Sequence, residues 1–254
     1  MLDGQGGDEV LGGYDGYFGF LFGDLMLRRD FRALATEVAA YRRLRKKSYA
    51  HAVGALARPF FPERLQWDAR ARATGAHALV HEELRMQPPT LPISANTFPD
   101  RFRRRLYFVL TRRLPELLRY EDRNSMAHSI EARLPYLDYR LVELMFSLEP
   151  RHLIHDGRAK AILREAVPDL LPPRVRARTD KIGFDTPEGR WLRGELGDFA
   201  EQVFGSRECR ERGFVDSEAA RARLRRHREG KQDAGSALWR AVAVELWAQT
   251  FLDR

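Results

Sequence analysis

Cysteine, lysine and long apolar runs are all scarce in this chain, and each scarcity excludes something. Cys209 is the single cysteine among 254 residues, so no internal disulfide can form. No CxxC or catalytic-cysteine setting surrounds it; it reads as a passive thiol, and a reducing, cytoplasmic home is expected. The longest apolar stretches, Leu106–Leu110 and Ala241–Val244, fall far short of the roughly 20 residues that a membrane-spanning helix needs. Met1-Leu2-Asp3-Gly4-Gln5 has no basic segment leading into an apolar one, so no export signal is expected. Lysine occurs only at Lys46, Lys47, Lys160, Lys181 and Lys231, so the formal charge of +8 rests on arginine. The runs Arg101–Arg105 and Arg221–Arg228 mix arginine with apolar residues or flank them at helical spacing. They are expected to be solvated faces of amphipathic helices. With no aromatic platform, zinc-finger spacing or basic–aromatic repeat, nucleic-acid binding is only the minor alternative.

What is present describes a globular chain. Hydrophobic residues make up 44% and charged residues 31%, a mix that builds a core rather than a disordered segment. No alternating run is long enough for a sheet, and helices are expected to dominate. Phe31, Leu34, Val38 and Tyr41 recur at helical spacing, with basic residues closing the helix at Arg43–Lys47. A second stripe runs Phe102, Leu106, Val109, Leu110, Leu114, Leu117 and is expected to bend near Pro115. Asp138 is placed to cap a helix carrying Leu141, Leu144, Met145 and Leu148, and Asp216 or Ser217 to cap a basic one ending at Gly230. Leu238, Val242 and Leu246, with Trp239 and Trp247, predict a last, largely buried helix. Pro88–Pro99 and Pro168–Pro187 read as loops. Neither divides the chain, which is read as one domain over residues 1–254 without repeats.

Three segments carry candidate chemistry. The first is Asp3-Gly4-Gln5-Gly6-Gly7-Asp8-Glu9, at the head of a stretch crowded with glycine as far as Gly19. Glycines beside carboxylates suit a metal-bridged phosphate: backbone N–H groups meet the oxygens while a carboxylate holds Mg²⁺. The segment is neither a Walker A loop nor a dinucleotide GxGxxG. A glycine-rich surface turn with incidental acids explains it equally well. Such loops usually follow a strand, and of any such strand only Met1 and Leu2 are present; something upstream is expected to be missing. The second segment runs Arg119 to Ala127 and on from Glu131 to Asp138. Arg123 and Arg133 could each fork onto a carboxylate there, and a structural salt-bridge network is the better account. The third is Arg178 to Pro187 with Trp191 beyond. Lys181 in it could bring a point charge to a phosphate or oxyanion, although a lone loop lysine is usually just solvated.

Taken in order, these fragments resemble the synthetase domain of glutamine-hydrolysing asparagine synthetase and its amide-ligase relatives. The family's DGxGGDE or SGxGSDE loop followed by GGY is matched by Asp3–Glu9 and Gly12-Gly13-Tyr14. Its DRxSMA…ExRxPFLD block is matched by Asp122–Ala127 and Glu131–Asp138, with Tyr136 for phenylalanine. Its GxxK…LRE segment is matched by Gly157, Lys160 and Leu163-Arg164-Glu165. Its RxKxGFxxP segment is matched from Arg178 to Pro187 with one extra residue before Lys181, and Trp191 follows. One such block is a weak signal; four in order make a strong one.

The resemblance implies a mainly α chain, the C-terminal helical portion of a PP-loop type α/β adenine-nucleotide-binding domain whose N-terminal strands are missing. It implies that aspartate is activated with Mg²⁺ and ATP as a β-aspartyl-adenylate and then attacked by ammonia derived from glutamine. Asp3, Gly4 and Gly6 would lie against the nucleotide and Asp8 would help to hold Mg²⁺. Gln5 would stand where relatives carry a glutamate linked to forming or consuming the adenylate, and Lys181 would neutralise charge at the α-phosphate. Arg123, Arg133 and Lys160 would support the walls of the site. Two departures qualify this. Gln5 cannot act as a base, and the family's N-terminal cysteine and SGGxDS pyrophosphate loop are absent. The expectation is therefore a fragment or split subunit that needs an N-terminal half. The alternatives are a relative acting on another carboxylate (a peptide, polysaccharide or secondary metabolite) and an inactive remnant serving as a binding module.

Overall fold

The computed structural model of the chain describes residues 1–61, 79–80, 98–180, 183 and 186–253. The described residues gather into two compact units, one of residues 1–61 and 98–180, the other of 79–80, 183 and 186–253. The sequence showed no boundary between them. Of the two expected loops, Pro88–Pro99 lies almost wholly outside the described residues, and Lys181, Ile182, Phe184 and Asp185 of the second lie outside them as well. The chain is mainly helical, as expected.

In the first unit the elements are α1 (Gly7–Val10), α2 (Gly16–Leu27), α3 (Phe31–Arg45), α4 (Tyr49–Ala57), α5 (Arg101–Phe108), α6 (Leu114–Met126), α7 (Tyr139–Ser147), α8 (Pro150–Leu153), β1 (Ile154–His155), β2 (Arg158–Ala159), α9 (Ala161–Ala166) and α10 (Pro173–Ala177). The α2 helix is apolar almost all round, which suits a helix surrounded by others rather than one lying on a surface. It packs against α3, α4 and α5, with Tyr17, Phe18, Leu21 and Phe22 at the heart of the core. Gly19 is where α4 comes closest, since a methyl there would lie 2.3 Å from the carbonyl oxygen of Ala55. The density of glycine in the first twenty residues thus has more than one cause: Gly16 and Gly19 lie in α2 rather than in the loop, and Gly19 belongs to helix packing.

A single carboxylate ties α2 to α5. Asp24 is buried, and its two oxygens accept the N–H groups of Arg101 at 3.0 Å and Phe102 at 2.9 Å. Asp100 takes the next free donor, Arg103 N, at 2.7 Å. These are the orphan donors that any helix start leaves over. Burial raises the Asp24 carboxyl above its ordinary range, against the two N–H bonds that favour its charged form. Asp24→Ala strands two backbone donors under α2, and an unmet buried donor costs about 1–3 kcal/mol. The expected outcome is a loss of about 2–4 kcal/mol in the urea midpoint analysis of unfolding. A loss below 0.5 kcal/mol would show that water reaches those donors.

The stripe from Phe102 to Leu117 is indeed one continuous but irregular rod. A wider π turn over Val109–Arg113 joins α5 to α6, and Pro115 sits in the first turn of α6. Proline has no N–H to give, so the ladder shifts just before it, where a helix start tolerates the loss. The basic run in α5 is only partly a solvated face. Arg103 donates Nε–H to the Phe146 carbonyl at 2.9 Å and pairs with Asp100, so it is structural. Asp138 caps α7 as expected, accepting Arg140 N at 2.9 Å. Met145 is buried as its spacing predicts, whereas Leu144 is exposed.

The strands β1 and β2 pair antiparallel about Asp156 and Gly157, both with positive φ. Glu37 of α3, itself buried, accepts both turn N–H groups, at 2.8 Å from Asp156 and 3.0 Å from Gly157. A methyl on Gly157 would lie 2.6 Å from the backbone of Ala40, so only glycine lets α3 come this close. The α3 helix therefore fixes the hairpin that leads straight into Lys160.

In the second unit, α11 (Glu188–Arg193), α12 (Gly197–Gly205), α13 (Arg207–Arg212), α14 (Ser217–Arg228) and α15 (Gly235–Phe251) enclose Leu192, Phe204, Leu224 and Leu238. Asp216 caps α14, accepting Ala219 N at 2.9 Å, and Gly230 follows its end at φ 72°. Buried His227 donates Nε2–H to the Gly189 carbonyl at 2.8 Å while its Nδ1 accepts Ala234 N at 3.1 Å. Arg221 and Arg228 are salt-bridged to Glu201 and Asp198 within the unit. Leu238 and Val242 of α15 are buried as expected, but Trp239 and Trp247 are about a third and a half exposed, at 37% and 51%. Cys209 is buried, and burial pushes its thiol up to about 11, which is the behaviour of a passive thiol. Among the described residues no helix is long and apolar enough to cross a membrane.

Candidate functional site

The first acidic loop is held from both ends by the second block of the sequence. Leu2 forms a parallel bridge with Arg133, with Arg133 N donating to the Met1 carbonyl at 2.8 Å and Asp3 N to the Arg133 carbonyl at 3.0 Å. Asp3 turns its Oδ1 back to accept Gln5 N at 2.8 Å, an Asx turn that fixes the tip of the loop. Gly4 is exposed and Gln5 half-buried there. Gly6 then adopts φ 88° and the chain enters the single turn of α1. The short helical turn Pro135–Leu137 closes the loop from behind: a methyl on Gly6 would lie 2.3 Å from Leu137 Cδ2, and one on Gly7 3.2 Å from the Tyr136 ring.

The third block meets this loop at Asp8. Lys160 enters α9 in the left-handed conformation and places Nζ 2.8 Å from Asp8 Oδ1. Gly13 lies under the pair, where a methyl would come within 2.0 Å of Asp8 Oδ1 and 2.7 Å of Lys160 Cε. The pair borders an open recess of about 280 Å³ that Arg45, Arg164, Arg178, Thr179 and Asp180 also line. Arg164 is anchored by Nε–H to the Ala159 carbonyl at 2.9 Å. Burial, with the guanidiniums of Arg158 and Arg45 nearby, pushes its pKa below the ordinary arginine value. Arg178 pairs with Asp180 at 3.0 Å and lowers that carboxyl. An anion entering the recess therefore meets mostly positive groups.

The remaining expected site residues divide. Glu9, one of the acids of the loop, turns inward: it is buried and accepts a hydrogen bond from Tyr14 Oη. Burial and that carboxylate raise the Tyr14 pKa. Arg133 contributes backbone only, since its guanidinium is solvent-exposed and pairs with Glu131 at 2.8 Å. Arg123 is exposed on α6 and makes no ion pair among the described residues, contrary to the expected fork. Lys181 lies outside the described residues. Two residues went unassigned in the sequence. Arg45 comes to the recess from α3, between the motif blocks. Among the described residues Glu121 receives no hydrogen-bond donor at either oxygen, and burial together with the Asp3 carboxylate raises its pKa. A local charge cluster was its only sequence signal.

Among the described residues no three His, Cys, Asp or Glu side chains gather to hold a metal ion. Magnesium bound through phosphates commonly needs only one or two carboxylates from the protein. Asp8, beside the recess, fits that smaller requirement.

Comparison with known proteins converges on one family. The family model for asparagine synthase matches residues 1–249. A putative glutamine-hydrolysing asparagine synthetase of Mycobacterium tuberculosis is 32% identical over 139 residues, which cover 54% of this chain and 21% of that protein. Asparagine synthetase 1 of Bacillus subtilis is 24% identical over 132 residues, 52% of this chain and 20% of its own length. The rat asparagine synthetase is 36% identical over 86 residues, 32% of this chain and 15% of its own. The matched stretch thus spans about a fifth or less of these relatives. No solved structure matches.

Proposed function

This chain belongs to the asparagine synthase family, and from that premise we propose that it supplies part of the nucleotide site of an ATP-dependent amide ligase. The substrate proposed is aspartate, with ammonia drawn from glutamine by a glutaminase part outside these 254 residues. One observation carries the reading. Segments far apart in the chain, Asp3–Asp8, Arg133–Leu137, Lys160 and Arg178–Asp180, converge on one loop and the recess beside it.

The chemistry explains why such a recess is useful. A carboxylate is a poor acyl electrophile, so its oxygen first attacks the α-phosphorus of ATP and pyrophosphate departs. Ammonia then attacks the acyl carbon of the adenylate, AMP leaves with the C–O bonding pair, and the nitrogen loses a proton. In both steps the protein's contribution is positioning and stabilisation of phosphate and oxyanion charge. Asp3, Gly4 and Gly6 are assigned to the nucleotide, Gly4 because its exposed backbone lets a ligand approach closely and Gly6 because its positive φ shapes the turn that presents the loop. Asp8 is assigned to the magnesium ion that accompanies ATP, which neutralises charge on the phosphates. Lys160 holds Asp8 in place. Lys181 is assigned to the α-phosphate, where a point charge offsets the charge of the transition state. Gln5 offers amide hydrogen bonds at the tip of the loop but no base, so the proton lost from nitrogen goes elsewhere.

The test is product analysis on protein purified from its source under non-denaturing conditions, so that any associated polypeptide accompanies it. With ATP, aspartate and either glutamine or ammonium, asparagine, AMP and pyrophosphate should appear together. Formation of ADP, or no nucleotide turnover with any carboxylate, overturns the ligase reading. In an active preparation Lys181→Ala should lower kcat about 10²–10³-fold, the usual cost of one preorganised charge contact, with an unchanged melting temperature. Undiminished turnover in a folded variant removes Lys181 from the site.

A further inference from the structure

We infer that Arg45 is an additional anion-binding residue of this recess, directed at a phosphate chain carrying two or more negative charges. The inference rests on the ligase reading for the identity of the ligand, but not for the existence of the site.

Arg45 ends α3, a helix that lies between the motif blocks, and nothing in those blocks points to it. Its side chain is only 6% exposed, yet it lines an open recess together with Lys160, Arg164 and Arg178. One terminal nitrogen pairs with Asp15, and the guanidinium lies 5.0 Å over the Phe18 ring, so the group is held in one orientation. Its Nε–H has no partner among the described residues, although that nitrogen is buried. A buried, unmet guanidinium donor is costly unless a ligand satisfies it. Arginine can also present two N–H groups in parallel to a phosphate, which a lysine cannot.

Charge selects the class of ligand. Four cationic side chains, Arg45, Lys160, Arg164 and Arg178, line the recess against Asp8 and Asp180 of its lining and Asp15 beside Arg45, so the balance at the recess stays positive. A carboxylate has only two oxygens to offer several separate cations, whereas a pyrophosphate or the phosphate tail of a nucleotide has enough to meet Arg45 and its neighbours at once. The position of Arg45 is not accidental. Glu37, on the same helix, grips the turn at Asp156 and Gly157 that delivers Lys160. The α3 helix therefore sets both Arg45 and its partner cation at one recess.

Inorganic pyrophosphate titrated calorimetrically into the full chain is the test, with ATP and AMP as competing arms. Saturable pyrophosphate binding is expected, displaced by ATP and poorly by AMP. Arg45→Met should weaken it by about tenfold or more, a typical contribution of a charge-assisted pair, while thermal melting changes little. Arg45→Gln, which keeps length and polarity without charge, should show the same loss and serves if the methionine variant fails to fold. Affinity unchanged in either folded variant overturns the inference, as does the absence of saturable binding to the wild-type chain. AMP competing as well as ATP overturns the assignment to a phosphate chain. The ligase reading fails separately: Arg45-dependent pyrophosphate binding in a protein that never turns over ATP would leave this site standing and that reading refuted.

Discussion

Asp8→Asn is expected to lower the rate of adenylate formation by about 10²–10³-fold and to flatten its dependence on magnesium concentration, while the fold survives. Asparagine has nearly the shape of aspartate, so Gly13 beneath it still fits. What disappears is the negative charge 2.8 Å from Lys160 Nζ. The Asp8 and Lys160 side chains are 16% and 30% exposed and border the open recess, so water can solvate whichever partner is left, and the pair contributes on the order of 1 kcal/mol to stability. A large loss of rate with a small change in melting temperature is therefore the signature of a functional pair. Lys160→Met separates the two roles assigned here. If Lys160 acts by orienting Asp8, the double variant should be little worse than Asp8→Asn alone. If the two losses multiply, Lys160 contacts the nucleotide in its own right. An unaltered magnesium dependence in Asp8→Asn removes Asp8 as the ligand.

The parts of the molecule that were legible in its sequence are those that depend on neighbours along the chain. Asp138 and Asp216 announced their helices because a cap is a local arrangement of one side chain and the next turn. The Phe31–Tyr41 spacing found its helix for the same reason, as helical spacing is local geometry, although Tyr41 of that stripe is buried and Phe31 is exposed. The motif blocks could be ordered but not assembled. That Lys160 would reach Asp8, and Arg133 would lend its backbone rather than its guanidinium, depends on contacts between residues more than a hundred positions apart. Arg103 shows how the local reading fails: a solvated and a structural arginine on an amphipathic helix look identical in sequence, and only the carbonyls of Phe146 and Leu148 reveal which one this is. Trp239 and Trp247 failed in the opposite sense, because the second unit buries one face of α15 and leaves the indoles half outside. The division into two units left no mark either, since its edges fall in segments whose composition resembles that of any loop.

Glycine shows the same limit within a few residues, and it yields the sharpest stability test. Gly4, Gly6 and Gly19 look interchangeable in the sequence. Among the described residues Gly4 has nothing within 4 Å of an added methyl, and its φ is not positive, so Gly4→Ala should be nearly neutral. Gly6 is held at φ 88°, where an ordinary residue costs roughly 1–2 kcal/mol, and its methyl would overlap Leu137 Cδ2 at 2.3 Å. Overpacking of that kind adds about 1–3 kcal/mol. Gly6→Ala is therefore expected to destabilise the first unit by about 2–5 kcal/mol, measured by urea unfolding. The double variant Gly6→Ala with Leu137→Ala divides the two costs. It removes the overlap and leaves the backbone strain, so the coupling between the two substitutions measures the overlap alone. Additive losses would mean that Leu137 moves aside freely and that φ sets the whole penalty. A Gly6→Ala chain as stable as wild type would mean that the loop can leave this conformation at little cost. In that event the loop is shaped by its ligand, and Asp3, Gly4 and Gly6 are ordered by the nucleotide rather than waiting for it.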